Sequence, residues 1–262
     1  MMLNPKITIS GANEHTDIEK LVALVERYYH YKGIKIELGI QVSPTKASFD
    51  SDRCQWLMEL HKRALGYCYV YLSLHINPGW VEQVCAGSIP LELIHFMNLF
   101  GYHHNGGVIL ERIQLNFLIG REQAPDMNKL RRMIEHYHYH GVYSILTCNE
   151  ENKQFIDEFY SKYFARGNCY FDLLFNKSDY ELQNIEQSKP QCYPDVVKGY
   201  SGDFCEENIA EELSKIAQFN SDNKWVWIDT HGLKDTENNL DLKKADAFMQ
   251  KVQEWYQKNT QS

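Results

Sequence analysis

Two groups of residues in this chain have types and spacings that could do chemistry. The first is the run from Val196 to Ile209, Val-Val-Lys-Gly-Tyr-Ser-Gly-Asp-Phe-Cys-Glu-Glu-Asn-Ile, where an apolar segment passes through Ser201, Gly202 and Asp203 into an amphipathic one. A strand that ends in small residues ahead of a helix directs backbone N–H groups at the space above it, which suits a phosphate or a carboxylate. The second group is His75, Asp229 and His231. Two imidazoles and a carboxylate brought to one cavity can move protons, or hold zinc. Around them, further apolar runs end in polar residues: Ser10, Gln41, Gln114 with Asn116, Thr147 with Asn149, and Asn176.

Other histidines carry less. His136 and His140 share a helix face at i and i+4, a spacing compatible with a metal. Their segment ends at Gly141, however, and histidines in a last helical turn interact favourably with the helix dipole. No cysteine or carboxylate arrives at diagnostic spacing, so no metal site is expected there. His103 and His104, beside Asn-Gly-Gly, read as a helix-to-strand turn.

The elements that must position these residues follow from periodicity. Eight extended segments are expected at 6–11, 34–42, 67–76, 108–118, 142–148, 170–175, 196–200 and 225–228. Helical stripes lie between most of them, at 17–28, 52–65, 90–100, 127–138, 152–164 and 206–219, with a last one at 242–256. In the first, Ile18, Leu21, Val22, Val25 and Tyr28 form one apolar face. Repeated strand–helix alternation means a parallel sheet with helices outside it. No Gly-x-Gly-x-x-Gly follows the first strand, which argues against an open dinucleotide-binding sheet. Eight units in 262 residues indicate a single (β/α)8 TIM barrel with parallel strands, one domain spanning 1–262. In such a barrel the C-terminal strand ends line the site, and here those ends are polar. Residues 177–194 are polar and aperiodic, and read as a long strand-to-helix loop of the kind that carries function.

Composition excludes several classes. A formal charge of −8 disfavours nucleic acid or an anionic membrane as partner. No apolar run approaches the roughly 18 residues of a membrane span. The N-terminus lacks a basic segment followed by an apolar one, so no secretory signal is expected. Seven cysteines without a Cys-x-x-Cys pair fit free thiols in a reducing cytoplasm. The expected partner is a small-molecule ligand, with no cofactor and no metal, and the oligomeric state is open.

Taken together, these segments resemble the phosphoribosylanthranilate isomerase family of (β/α)8 enzymes. Lys6-Ile-Thr-Ile-Ser-Gly11 is similar to the family's opening Val-Lys-Ile-Cys-Gly. Leu74-His-Ile-Asn77 is similar to its third strand, and Ile113-Gln-Leu-Asn116 to its Val-Gln-Leu-His-Gly. Gly199-Tyr-Ser-Gly-Asp-Phe-Cys-Glu-Glu-Asn-Ile209 resembles Gly-Tyr-Ala-Gly-Gly-Leu-x-Pro-Glu-Asn-Val, and Asp229-Thr-His-Gly232 the Ser-Ser-Gly-Val corner. The resemblance implies a phosphate held by Ser201, Gly202, position 203 and Gly232, and a substrate carboxylate met by Lys46. It also implies a general base at position 10 and a general acid at position 176, where the family has cysteine and aspartate. Here these are Ser10 and Asn176. A serine hydroxyl needs its own activating base, and an amide has no proton to transfer near neutrality. Asp203 also puts a carboxylate where the family has a glycine. The expectation is a diverged barrel that binds or acts on a small anionic sugar-like or phosphorylated metabolite. Asp229, His231 and His75 would replace the missing pair, by isomerase- or lyase-type acid–base chemistry. The alternatives are a non-catalytic binding or regulatory barrel and a genuine phosphoribosylanthranilate isomerase.

Overall fold

The computed structural model describes residues 4–29, 34–101, 106–117, 124–164, 170–176, 193, 196–219 and 225–260. Within them, every segment expected to be extended is a strand: β1 (Asn4–Ser10), β2 (Lys35–Val42), β3 (Tyr69–Ile76), β4 (Gly107–Leu115), β5 (Tyr143–Cys148), β6 (Phe171–Asn176), β7 (Lys198–Gly202) and β8 (Trp225–Thr230). Each pairs in parallel with the next, and β8 pairs with β1, so the sheet closes into an eight-stranded barrel. The helices are α1 (Ile18–Tyr29), α2 (Asp52–Ala64), α3 (Val81–Cys85), α4 (Leu91–Leu99), α5 (Met127–Tyr139), α6 (Lys153–Phe159), α7 (Ile209–Phe219) and α8 (Leu242–Thr260).

Strands buried on both faces usually read as continuous apolar runs. These alternate, because the two faces do different work. Outward residues such as Ile7, Ile9, Leu38, Ile40, Leu72 and Leu74 join the continuous apolar shell beneath the helices. Inward positions are mostly polar or glycine, with a small separate apolar cluster of Ile145, Leu174 and Trp227. Helix α5 shows how the shell is completed. Asp126 caps its start, with Oδ1 accepting from the N–H groups of Asn128 and Lys129 at 2.9 Å. Leu130, Met133, Ile134 and Tyr137 then bury one face, and Gly141, with φ of 75°, follows the helix end. His136 and His140 pack edge to face in this last turn, at the end of the barrel where β5 begins.

The barrel interior holds charge. Glu37, fully buried, accepts from Arg112 Nε at 2.9 Å and from Thr8 Oγ1 at 2.7 Å. Arg112 also donates from Nη2 to Thr8 Oγ1 at 3.0 Å, lies 3.4 Å from Asp172, and stacks 3.7 Å above the Trp227 ring. Trp227 Nε1 donates to the same Thr8 oxygen at 2.7 Å. A β-bulge makes this possible: between the pairs Leu72–Leu110 and Ser73–Arg112, Glu111 is the extra residue. Two consecutive residues thereby reach the interior charges, Glu111 to Lys6 at 3.1 Å and Arg112 to Glu37. Burial pushes the Glu37 carboxyl upward, but the charges of Arg112 and Lys6 and the hydrogen bonds from Arg112 and Thr8 outweigh it. The group is held well below the usual carboxylate range.

Several boundaries differ from the periodicity. β7 is displaced two residues towards the C-terminus, because backbone pairing of Ser201 with Asp229 and of Gly202 with Thr230 needs no apolar side chain. Residues 206–208 form a turn before α7. The short helix α3 was hidden by its length, and Tyr160–Phe164 continues α6 as a π-helical turn. The loop expected at 177–194 lies outside the described residues except for Tyr193, as do His103 and His104. Among the described residues, no helix is long and apolar enough to cross a membrane.

Candidate active site at the barrel mouth

Strand alternation that turns Ile228 outward turns Trp227 and Asp229 inward, with Asp229 one pleat nearer the mouth. Its neighbours in register are Thr8 on β1 and Ser201 on β7. The Asp229 carboxylate is fully buried, and Oδ1 accepts from Ser10 Oγ at 2.7 Å. Its other oxygen, Oδ2, has no hydrogen-bond partner among the described residues. His231 Nε2 stands 3.6 Å from that oxygen, outside hydrogen-bond range, with about a third of its side chain (36%) exposed. His75 enters from β3; it is buried, and its Nε2 has no partner among the described residues either. Burial lowers the His75 pKa, the Asp229 charge opposes the shift and His231 reinforces it. The ring is therefore neutral at pH 7.

Gly39, on β2, makes room for this group. A Cβ built there would stand 2.3 Å from Ser10 Oγ, 2.8 Å from His75 Cε1 and 3.0 Å from His75 Nε2. Its φ is not in the left-handed region, so the constraint is space alone. Ser10 and His75 thus face each other across a missing side chain, a relation that periodicity does not reveal.

The remaining candidates divide between the cavity and the rim. Gln114, buried on β4, donates from Nε2 to Asn116 Oδ1 at 2.8 Å, and Asn116 donates to Asn77 Oδ1 at 3.2 Å. Gln114 Oε1 has no partner among the described residues. Ser201 donates to Asn176 Oδ1 at 2.5 Å on the β6–β7 side. Gln41 and Lys46 are exposed and pair with each other at 3.2 Å on the rim. Asn149 has no hydrogen bond to the cavity groups among the described residues; its Oδ1 accepts from the Asn152 N–H at 2.8 Å ahead of α6. Among the described residues, no cluster of three His, Cys, Asp or Glu side chains has a geometry that could hold a metal ion.

At the β7 and β8 corners, much of the backbone is already engaged. The His231 N–H donates to Gly202 O at 3.0 Å, and the Gly232 N–H to Thr230 Oγ1 at 3.2 Å. The Cys205 N–H donates to Asn208 Oδ1 at 2.9 Å. A Cβ on Gly232 would lie 2.7 Å from Phe204 O, so the two corners pack on one another. Asp203 is exposed.

Chemically, the mouth offers an anchored carboxylate with one open oxygen, a neutral imidazole, a second imidazole nearer solvent, and a run of amides. That set can hold a hydroxyl-bearing molecule and exchange protons with it. Sequence reasoning missed Gly39 and the amide of Asn77 as parts of the site. Gly39 sits at an inward strand position, and Asn77 lies one residue beyond β3, at the end of the Leu74–Asn77 segment.

No protein-family model matches the chain, and no curated protein matches it in sequence. Similar solved structures do exist. Phosphoribosyl anthranilate isomerase from Thermus thermophilus superposes with a TM-score of 0.52 at 13% identity, covering 95% of this chain and 98% of that one. The isomerase from Thermotoga maritima gives 0.52 at 12%, covering 97% and 99%. Tryptophan synthase subunit alpha from Legionella pneumophila gives 0.55 at 14%, covering 97% and 92%. At these identities the likeness is one of fold, a TIM barrel.

Proposed function

We propose that the barrel mouth is a small-molecule site and that the protein is a diverged isomerase-like barrel performing acid–base chemistry on a sugar-like metabolite. The observation that carries this reading is the Asp229 carboxylate: fully buried, fixed through one oxygen by Ser10, and open through the other beside His231. A buried charge is rarely left half-satisfied without a reason, and strand-end residues at this face of a TIM barrel belong to the catalytic end. Asp229 would take a proton from the ligand, and His231, near solvent, would return one to a leaving or ring oxygen. Ser10 would act on Asp229 as a positioning residue. His75 would supply a fixed, uncharged hydrogen-bonding nitrogen.

A metabolite panel read by thermal shift and by NMR detection of turnover tests this. Asp229→Asn preserves shape and removes the base, and should lower turnover by roughly 10²–10⁴-fold while ligand-induced stabilisation is reduced less. Wild-type turnover unchanged in Asp229→Asn would refute the role.

A non-catalytic binding barrel is favoured by one observation. Ser10 and Asn176, at the positions where the isomerases it resembles carry their proton-transfer pair, are held in hydrogen bonds to Asp229 and Ser201. Binding without turnover across the panel would select that reading. Rescue of a tryptophan auxotroph would instead select isomerase activity of the family type.

A further inference from the structure

Resting on the site reading above, we infer that the ligand is an uncharged, hydroxyl-rich molecule, a sugar or polyol without a phosphate, because the chain's own groups occupy much of the anion corner while the cavity floor presents unpaired acceptors. The filling is specific. Asp241, at the start of α8, accepts from the N–H groups of Lys243 and Lys244 at 2.9 and 3.2 Å, so a carboxylate already sits at that helix N-terminus. The Asp241 N–H is itself used, donating to Leu233 O at 2.9 Å. Across the corner, the His231, Gly232 and Cys205 N–H groups have the internal acceptors described above. Gly232, the position a phosphate cradle would need open, packs against the Asp203–Phe204 backbone.

Charge points the same way. Asp203 is exposed at the corner, and the cleft between the β1 and β8 loops is lined by Asp17, Asp235, Glu237 and Asp241 against Lys20 and Lys243. The ammonium groups nearer the strand ends are those of Lys46, hydrogen-bonded to the neutral Gln41 amide, and Lys234, whose stem lies over Gly11. In that cleft, beside the corner, four carboxylates stand against two ammonium groups, one of them paired with Asp17, which disfavours a phosphate dianion there.

The floor asks for something else. Among the described residues, the polar atoms at the mouth end of the interior without a partner include Asp229 Oδ2, Gln114 Oε1 and His75 Nε2, each on a side chain more than nine-tenths buried. The first two only accept, and so need hydrogen donors from a ligand. The Asn77 amide, whose oxygen is engaged by Asn116, has N–H groups to offer. A hydroxyl both donates and accepts and so satisfies this mixed set, whereas an ammonium group can serve only the acceptors.

The test measures affinities of the intact protein for matched compounds by calorimetry: neutral pentoses, hexoses and polyols, their phosphate monoesters, the corresponding amino sugars, and inorganic phosphate alone. The expected result is that a neutral sugar binds at least 10-fold more tightly than its phosphate ester and its amino analogue. Gln114→Leu should weaken that sugar by at least 10-fold, and 10 mM inorganic phosphate should leave the melting temperature unchanged. Tighter binding of a phosphate ester or an amino sugar, or saturable binding of phosphate, would overturn this inference and leave the site at Asp229 standing. No binding by any class would remove the site reading, and this inference with it.

Discussion

Replacing Gly39 by alanine adds one methyl group at the point where Ser10 and His75 converge. The added carbon would sit 2.3 Å from Ser10 Oγ and 2.8 Å from His75 Cε1. Ordinary contact distances are near 3.5 Å, so both groups are encroached on by roughly 1 Å. Neither is a free surface side chain: Ser10 is tied to Asp229 and His75 is buried. Overpacking of this kind costs about 1–3 kcal/mol. If Ser10 rotates away, a buried carboxylate oxygen loses its donor, at about 1–3 kcal/mol. These are alternative routes of relief, so a net loss of about 2 kcal/mol is expected, a fall in Tm of roughly 4–8 °C for a chain of this size. Urea unfolding of Gly39→Ala, Ser10→Ala and the double variant closes a thermodynamic cycle. Removing Oγ gives the new methyl part of its space, so the double variant should be more stable than the sum of the single losses by at least about 0.5 kcal/mol. Ligand binding should fall in Gly39→Ala, whose methyl group intrudes on the cavity. An alanine variant with wild-type stability and wild-type binding would refute this account of the interior.

Other predictions follow from the same packing. Arg112→Met leaves Glu37 buried without its main partner and should cost about 3–5 kcal/mol, while the double variant Glu37→Gln/Arg112→Met should recover much of that loss, both measured by urea unfolding. Glu37 is held below the usual carboxylate range, so its contribution is complete above that range and disappears only as pH falls through its lowered folded value. The acid limb of a stability–pH curve should therefore flatten in Glu37→Gln. His75 has the opposite chemistry. Burial lowers its pKa, so below about pH 6.5 the unfolded chain takes up a proton that the folded chain refuses. Stability should fall as pH drops from there towards the lowered folded value, by up to about 1.4 kcal/mol per pH unit, and His75→Gln should make that limb shallower, leaving the smaller part due to His136, whose pKa burial also lowers. Asp241→Ala removes the cap of α8 and should cost about 1 kcal/mol by thermal unfolding.

The barrel was legible because outward residues such as Ile7, Ile9, Leu38 and Ile40 alternate with polar ones, and because helical stripes separate the strands. β7 was misplaced by two residues since its last positions, Ser201 and Gly202, are held by backbone pairing to β8, which leaves no mark on side-chain type. The polar strand ends pointed to the mouth and to Asp229, His231 and His75. Their connections were not legible. Ser10 and Asp229 are 219 residues apart, and Arg112 and Glu37 are 75 apart, so each pairing exists only after the barrel closes. A glycine within a strand gives no hint of which side chains will fill its space, and Gly39 shows its purpose only beside Ser10 and His75. The bulge at Glu111 likewise follows from register, not from composition.

On this reading the open oxygen of Asp229 faces a ligand at the barrel mouth. The most direct measurement is a crystal structure of the protein soaked with whichever neutral sugar gives the largest thermal shift. A ligand hydroxyl within about 3 Å of Asp229 Oδ2, with a second near Gln114 Oε1, is the expected result. Sugar density confined to another surface, with the mouth filled only by water, would contradict it.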